Sequence, residues 1–284
     1  MTSARISQFS HAGFVFDVID SGPLDGIPVV LLHGFPQRAT SWDAVSAHLH
    51  ERGMRTYALD QRGYSPGARP DSRFAYGVGD LVSDVQALID EIGAPVHLVG
   101  HDWGAAVAWA TAAAQPDSLR SLTAVSVAHP GAFLRSMTSS SQLLRSYYVL
   151  LFQLPFLPEH VLSRPGGLGE RMLRAAGMTR EMIETYRREI VADGALSGGL
   201  GYYRSMFLAP GQFSRRISVP TTYVWSSGDT ALARRGTELT PQFVKGPYSL
   251  EVYEGVSHWI PDERPAELAA SIANRVHSVE PPRR

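Results

Sequence analysis

An α/β protein is the fold class this chain predicts: a mostly parallel central sheet with helices on both faces and a helical cap inserted late in the sequence. Two observations carry that expectation. Short unbroken apolar runs such as PVVLLHG (28–34) and VHLVG (96–100) alternate with stretches of helical spacing such as GDLVSDVQALIDEIG (79–93). Runs of that kind belong to strands covered on both faces, and the alternation to crossover units. The pattern then stops at His129-Pro130-Gly131, gives way to helical pieces broken by Pro and Gly, and resumes at PTTYVWSSGD (220–229).

Taken in order, RISQFS and GFVFDVID alternate and turn around His11-Ala12-Gly13, which reads as an antiparallel hairpin. PVVLLHG is a buried strand ended by Gly, and RTYALD (55–60) is another, running into the turn-rich DQRGYSPG. In residues 79–93, Leu81, Val82, Val85, Leu88, Ile89 and Ile92 recur at helical spacing and Gly93 is the stop. VHLVG is a strand, DWGAAVAWATAAAQP a helix and LTAVSV a strand. LRSMTSSSQLLRSYYVLLFQ, ERMLRAAG and TREMIETYRREIV are helical, with no strong strand between them. PTTYVWSSGD and YSLEVYEGVSHW restore the strands, RPAELAASIANRVHS closes on a helix, and EPPRR is expected as a loose tail. The organisation is therefore core at 1–131, helical cap at 132–214 and core again at 215–284.

Composition narrows the function classes. The 284 residues suit one large α/β domain, or one domain carrying an insertion, and 44% hydrophobic content can build its core. Net charge is −1 with no long block of one sign, so nothing points to nucleic acid or an anionic membrane. The chain has no Cys, which excludes disulfides, thiolate metal sites and a Cys nucleophile. MTSARISQFSHAGF lacks an apolar leader core, and no apolar run reaches the ~20 residues that span a bilayer. A soluble cytoplasmic protein without membrane insertion, monomer or homodimer, is the expectation. No zincin-type spacing and no glycine-rich phosphate loop occurs, so neither metal nor nucleotide cofactor is proposed.

The chemistry gathers at three strand ends. Asp102 sits in Gly100-His101-Asp102-Trp103-Gly104-Ala105, small residues flanking a central carboxylate at a strand-to-helix turn. This is a nucleophile-elbow pattern with Asp in the nucleophile position; the competing reading is an Asp N-cap. In such an arrangement an acid and then a His follow in chain order. Asp229 ends YVWSSGD and His258 follows SLEVYEG, both just past expected parallel strands, where open α/β sheets place ligands. Two N–H donors are needed for an oxyanion: Trp103, after the nucleophile, supplies one, and Phe35 in His33-Gly34-Phe35-Pro36 the other. Pro36 has no N–H and stiffens that turn. His33 and His101 are read as organising the loops beneath the site, and His129-Pro130 as a cap hinge.

With these residues in place the chain resembles the soluble-type epoxide hydrolases of the α/β-hydrolase fold. The similarity runs almost end to end, through HGFPQRATSW, ALDQRGYSPGARP, LVGHDWGAAVAW, the cap, SSGD and SHW. The resemblance implies an Asp nucleophile, a His–Asp pair that activates water, and two cap tyrosines that hold the epoxide oxygen. Counting back from Gln153 in SYYVLLFQLP selects Tyr148, and the helix TYRREIV ahead of GYYRSM selects Tyr186. Tyr147, Tyr202 and Tyr203 are assigned to packing. Leu150, Leu151, Phe152, Leu154, Phe156 and Met206 suggest an apolar epoxide of small to medium size. A carboxylate suits this chemistry: already ionised at pH 7, it can displace at a saturated carbon and leave an ester that water can cleave. A haloalkane or haloacid dehalogenase would share Asp102, Asp229 and His258, but needs halide-binding donors in place of paired tyrosines. A non-catalytic ligand-binding protein of the same fold is the alternative of another class.

Overall fold

The computed structural model describes residues 4–206 and 215–280. Among the described residues, eight strands form one sheet: β1 (Gln8–His11), β2 (Phe14–Ser21), β3 (Ile27–Leu32), β4 (Met54–Leu59), β5 (Val96–His101), β6 (Leu119–Val125), β7 (Thr221–Ser226) and β8 (Tyr248–Tyr253). Their order is β1-β2-β4-β3-β5-β6-β7-β8. Only β2 runs against its neighbours: it pairs antiparallel with β1, His11 facing Phe14 across the Ala12-Gly13 turn, and antiparallel with β4. Every other pair is parallel.

The apolar strands are buried on both faces. In β3, Val30 and Leu32 join a cluster with Leu88 of α2 (Val78–Ile92) and Trp109 of α3 (Trp103–Ala114). The intervening Val29 and Leu31 join Val45 and Leu49 of α1 (Asp43–His50) and Leu268 and Ile272 of α13 (Pro265–His277). A period-two strand thus feeds two helical layers, which is why it reads as unbroken apolar sequence. Successive connections lead from β3 to β4 on one side and to β5 on the other, so the strand order reverses between β3 and β5. A crevice opens at such a switch point. The HGFP loop leaves β3 there, and the Asp102 turn leaves β5.

Between β6 and β7 the chain forms seven helices among the described residues: α4 (Pro130–Ser139), α5 (Gln142–Arg145), α6 (Tyr147–Leu151), α7 (Leu157–Ser163), α8 (Leu168–Ala175), α9 (Arg180–Tyr186), which continues as a π-helical turn over Arg187–Ala192, and α10 (Leu196–Ser205). The stretch expected to be one helical piece, 134–153, is split around Ser140 and Ser146. The expected end of the cap at residue 214 and most of the expected tail lie outside the described residues. His129 ties the departure to the return. Its Nδ1 accepts from the Gly131 N–H, capping α4, and its Nε2 meets the Arg215 carbonyl at 3.1 Å. Past β7, α11 (Arg234–Leu239) and α12 (Ile260–Glu263) complete the helices. No helix among the described residues is long and apolar enough to cross a membrane.

Candidate active site

Asp102 stands at the turn between β5 and α3 with φ 51° and ψ −119°. A non-glycine residue rarely adopts that backbone, at a cost of order 1–3 kcal/mol. The chain affords it because strand and helix are pressed together: a Cβ added to Gly104 would lie 2.1 Å from the Leu32 carbonyl oxygen. The Asp102 carboxylate makes no capping bond to α3, so the N-cap reading falls. Instead Oδ1 accepts from the Phe35 N–H at 2.8 Å, and Oδ2 lies 3.4 Å from His258 Nε2. Gly34 makes this approach possible, since a Cβ there would lie 2.3 Å from Asp102 Cβ. The Trp103 N–H occupies the first turn of α3, where helix geometry leaves donors without intrahelical partners. The Phe35–Pro36 peptide bond is cis.

His258 is held on three sides. Its Nδ1 is 2.7 Å from Asp229 Oδ2. Asp229 Oδ1 accepts from the N–H groups of Ala231 and Leu232 at 2.7 and 2.9 Å. The His258 carbonyl accepts from Ser126 Oγ at 3.0 Å and from His101 Nε2 at 2.9 Å. Burial, and then the charge of His258, push His101 down to about 4. It is therefore neutral and gives its ring proton to that carbonyl, which leaves its buried Nδ1 without a partner. His33 is likewise pushed down to about 4, chiefly by burial. Its Nε2 accepts from the Gln61 N–H at 3.2 Å and its Nδ1 lies 3.1 Å from the Gly34 carbonyl. Both histidines brace loops and neither touches the Asp102 carboxylate.

Electrostatics follow from the geometry. Burial works against the His258 imidazolium, but the Asp229 and Asp102 carboxylates outweigh it and raise the group to about 10. Burial would raise Asp102; the hydrogen bond and charge of His258, with the Phe35 N–H, outweigh it and hold the carboxyl below its ordinary range. The resting site therefore pairs an imidazolium with two carboxylates.

Two cavities meet at Asp102. One, of about 160 Å³, runs past Val127, Phe133, Leu134 and Met206. The other, of about 130 Å³, runs past Phe152, Leu162, Met172 and Trp259. Asp102, Tyr148, Tyr203 and Leu232 border both. The rings of Tyr148 and Tyr203 are 6.0 Å apart and nearly perpendicular. Both phenols are pushed upward, first by burial and next by the Asp102 charge.

Tyr186 is not brought to this place. Its hydroxyl donates to the Leu162 carbonyl at 2.9 Å, and it faces a separate cavity of about 630 Å³ between residues 36–44 and 178–190 that does not include Asp102. Tyr203, and not Tyr186, borders both cavities with Asp102 and Tyr148. α10 lies against the core so closely that a Cβ on Gly198 would sit 2.2 Å from the Gly63 carbonyl oxygen. From that helix Tyr202 turns to the Arg62 carbonyl, while its neighbour Tyr203 lines both cavities that Asp102 borders. In the sequence, what marks Tyr203 is its place in the YYR segment Tyr202-Tyr203-Arg204. The expected apolar wall also changes: Leu150, Leu151, Leu154 and Phe156 are exposed, Phe156 by 84%. Of the six residues named for that wall, only Phe152 and Met206 line the cavities. No group of three or more His, Asp or Glu side chains among the described residues is placed to hold a metal ion.

Residues 29–271 match the alpha/beta hydrolase family. The chain is 33% identical over 273 residues to epoxide hydrolase 3 of Xenopus tropicalis, an alignment covering 92% of this chain and 74% of that protein. It is 29% identical over 308 residues to epoxide hydrolase A of Mycobacterium tuberculosis, covering 93% and 94%. Among solved structures, epoxide hydrolase A from Mycobacterium thermoresistibile superposes with a TM-score of 0.83 at 26% identity, covering 96% of this chain and 98% of that one.

Proposed function

The chain belongs to the alpha/beta hydrolase family, and from that premise we propose that it opens apolar epoxides to vicinal diols through an ester on Asp102. The observation that carries this reading is the pair of phenols, Tyr148 and Tyr203, bordering the same cavities as an Asp nucleophile. With Oδ1 accepting from the Phe35 N–H, Oδ2, 3.4 Å from His258 Nε2, is the oxygen that attacks an epoxide carbon. The C–O bond breaks as the phenols donate to the departing oxygen, and one of them gives it a proton. The product is a hydroxyalkyl ester.

Ester formation has an electrostatic consequence. Asp102 loses its charge, so one of the two carboxylates that support the imidazolium disappears. The His258 pKa falls, its proton restores the phenol, and the neutral imidazole becomes a base. Asp229 keeps the ring oriented while His258 takes a proton from water. The hydroxide attacks the ester carbonyl carbon, whose oxygen faces the Phe35 and Trp103 N–H groups. Collapse breaks the ester C–O bond, the leaving alkoxide takes the proton of the newly formed acid so that diol departs and Asp102 returns to its carboxylate, and the proton kept on His258 restores the resting state. The sum is epoxide plus water. The two cavities, walled mostly by aliphatic and aromatic side chains, suit a substrate with apolar substituents and no charge.

His258→Gln tests this. Mixed with excess styrene oxide and weighed intact, the variant is expected to gain the mass of the whole epoxide, and an Asp102→Ala control to gain nothing. A gain of a butyl group from 1-bromobutane, with none from epoxides, would assign the protein to the dehalogenases instead. A folded wild-type protein that turns over no member of an epoxide panel would overturn the reading.

A further inference from the structure

The cap does more than cover the site. Gln142, 1% exposed at the start of α5, reaches across to the loop that carries Asp229. Its Oε1 accepts from the Ala233 N–H at 2.7 Å, and its Nε2 donates to the Ala231 carbonyl at 2.9 Å and to Ser146 Oγ at 3.0 Å. The amide orientation is fixed, because a backbone N–H can only donate and a carbonyl can only accept. One turn later Arg145 Nη1 donates to the carbonyls of Asp229 and Thr230 at 2.9 and 3.2 Å. Four bonds from one cap turn therefore shape residues 229–233. That shape aims the Ala231 and Leu232 N–H groups at Asp229 Oδ1 and leaves Oδ2 for His258. The same segment continues into α6, which carries Tyr148.

We infer that Gln142, seconded by Arg145, is a positioning residue of the water-activating step, a clasp by which the cap sets the Asp229–His258 pair. The inference rests on the proposed epoxide chemistry for its kinetic test and on the geometry alone for its spectroscopic one. Its logic is asymmetric. Ester formation needs Asp102 and the phenols, which the clasp does not touch directly. Ester cleavage needs His258 held by Asp229, which the clasp shapes. Misplacing a catalytic group by about 1 Å costs on the order of 100-fold.

The test uses the full chain with Gln142→Leu, Gln142→Glu and a control, Glu159→Gln. The Glu variant keeps the acceptor for Ala233 and loses the donor to Ala231, so it stands in if the Leu variant does not fold. The control breaks the 2.7 Å cap ion pair with Arg204 without touching the 229–233 loop. In single turnover with styrene oxide, the Leu variant is expected to form the ester within about twofold of the wild-type rate. It is expected to cleave the ester about 10- to 100-fold more slowly, with the Glu variant between and the control unchanged. Without substrate, the His258 imidazole titration followed by NMR is expected to move to lower pH in the Leu variant. Equal slowing of both steps would mark a loosened cap and overturn the inference, as would an unmoved titration. If the wild type forms no ester while the titration still shifts, the clasp stands and the epoxide reading fails.

Discussion

At the scale of single residues, His258 stands between the Asp229 and Asp102 side chains, 2.7 Å and 3.4 Å away, and under the proposed reaction one of these charges is lost when the ester forms. His258 is raised from 6.5 to about 10, so folding gains from its protonation. That gain is fully present below about pH 6.5 and lost as pH rises through about 10. Asp102→Asn removes one supporting charge, as the ester does. It is therefore expected to lower the His258 titration midpoint and to shrink the stability lost between pH 7 and 10, both readable by NMR and urea denaturation across pH. The tyrosines separate in the same way. Tyr203→Phe is expected to slow ester formation about 100-fold, the order of losing one oxyanion donor. Tyr186→Phe is expected to leave that rate within a few fold while lowering Tm, because its hydroxyl only ties the Leu162 carbonyl. A stopped-flow comparison that ranked them the other way would return the role to Tyr186. Sequence could name Asp102, Asp229 and His258 because turn chemistry and chain order constrain them. Tyr203 reads as packing in the sequence because Tyr202 and Tyr203 are adjacent and alike, and only the rotation of α10 decides which of them borders the cavities at Asp102.

Elements were legible where local propensity and tertiary demand agree. The β5–α3 elbow announces itself, since close approach of strand and helix admits only small residues at Gly100 and Gly104. α10 does not announce itself. Its segment GALSGGLGYYR is glycine-rich, and glycine disfavours helix by about 1 kcal/mol per residue, yet residues 196–205 are helical. Those glycines are there for contact: Gly198 meets the Gly63 backbone and Gly201 the Tyr76 ring. Packing therefore overrides propensity in the helix that aims Tyr203. Gly198→Ala is favourable for an isolated helix and is expected to be harmful here. Its Cβ would sit 2.2 Å from the Gly63 carbonyl oxygen, so overpacking should cost about 1–3 kcal/mol. Turnover should fall with it as Tyr203 is displaced. A Tm equal to or above the wild type would show that α10 is free to shift.

At the scale of the whole molecule, function depends on how the helical layer is fastened to the sheet, which sequence reports least well. The apolar residues of the cap helices are visible in sequence, but not their facing: Leu150, Leu151 and Leu154, which suggest an apolar substrate, face solvent. The fastenings are polar and distant in sequence, hence silent to periodicity. One edge is the Gln142 and Arg145 clasp. A second fastening centres on Asp193, after the π-helical turn. Its carboxylate pairs with Arg38 at 3.3 Å and with Arg69, while the Arg69 guanidinium also holds the Asp193 carbonyl at 2.6 Å. Thr40 Oγ1 donates to Glu189 Oε2 at 2.5 Å beside it. Removing the carboxylate in Asp193→Ala leaves Arg38 with Asp60 and Arg69 with backbone carbonyls. Because Asp193 is partly exposed, global stability should fall by less than about 1 kcal/mol. The local effect should be larger, since these bonds cross between layers. Hydrogen exchange is therefore expected to quicken across residues 187–199 while β3 and β5 keep their protection. Uniform quickening would mean that cap and sheet open as one unit. No change would place the closure of this edge on Gly63 and Gly198 instead of on charge.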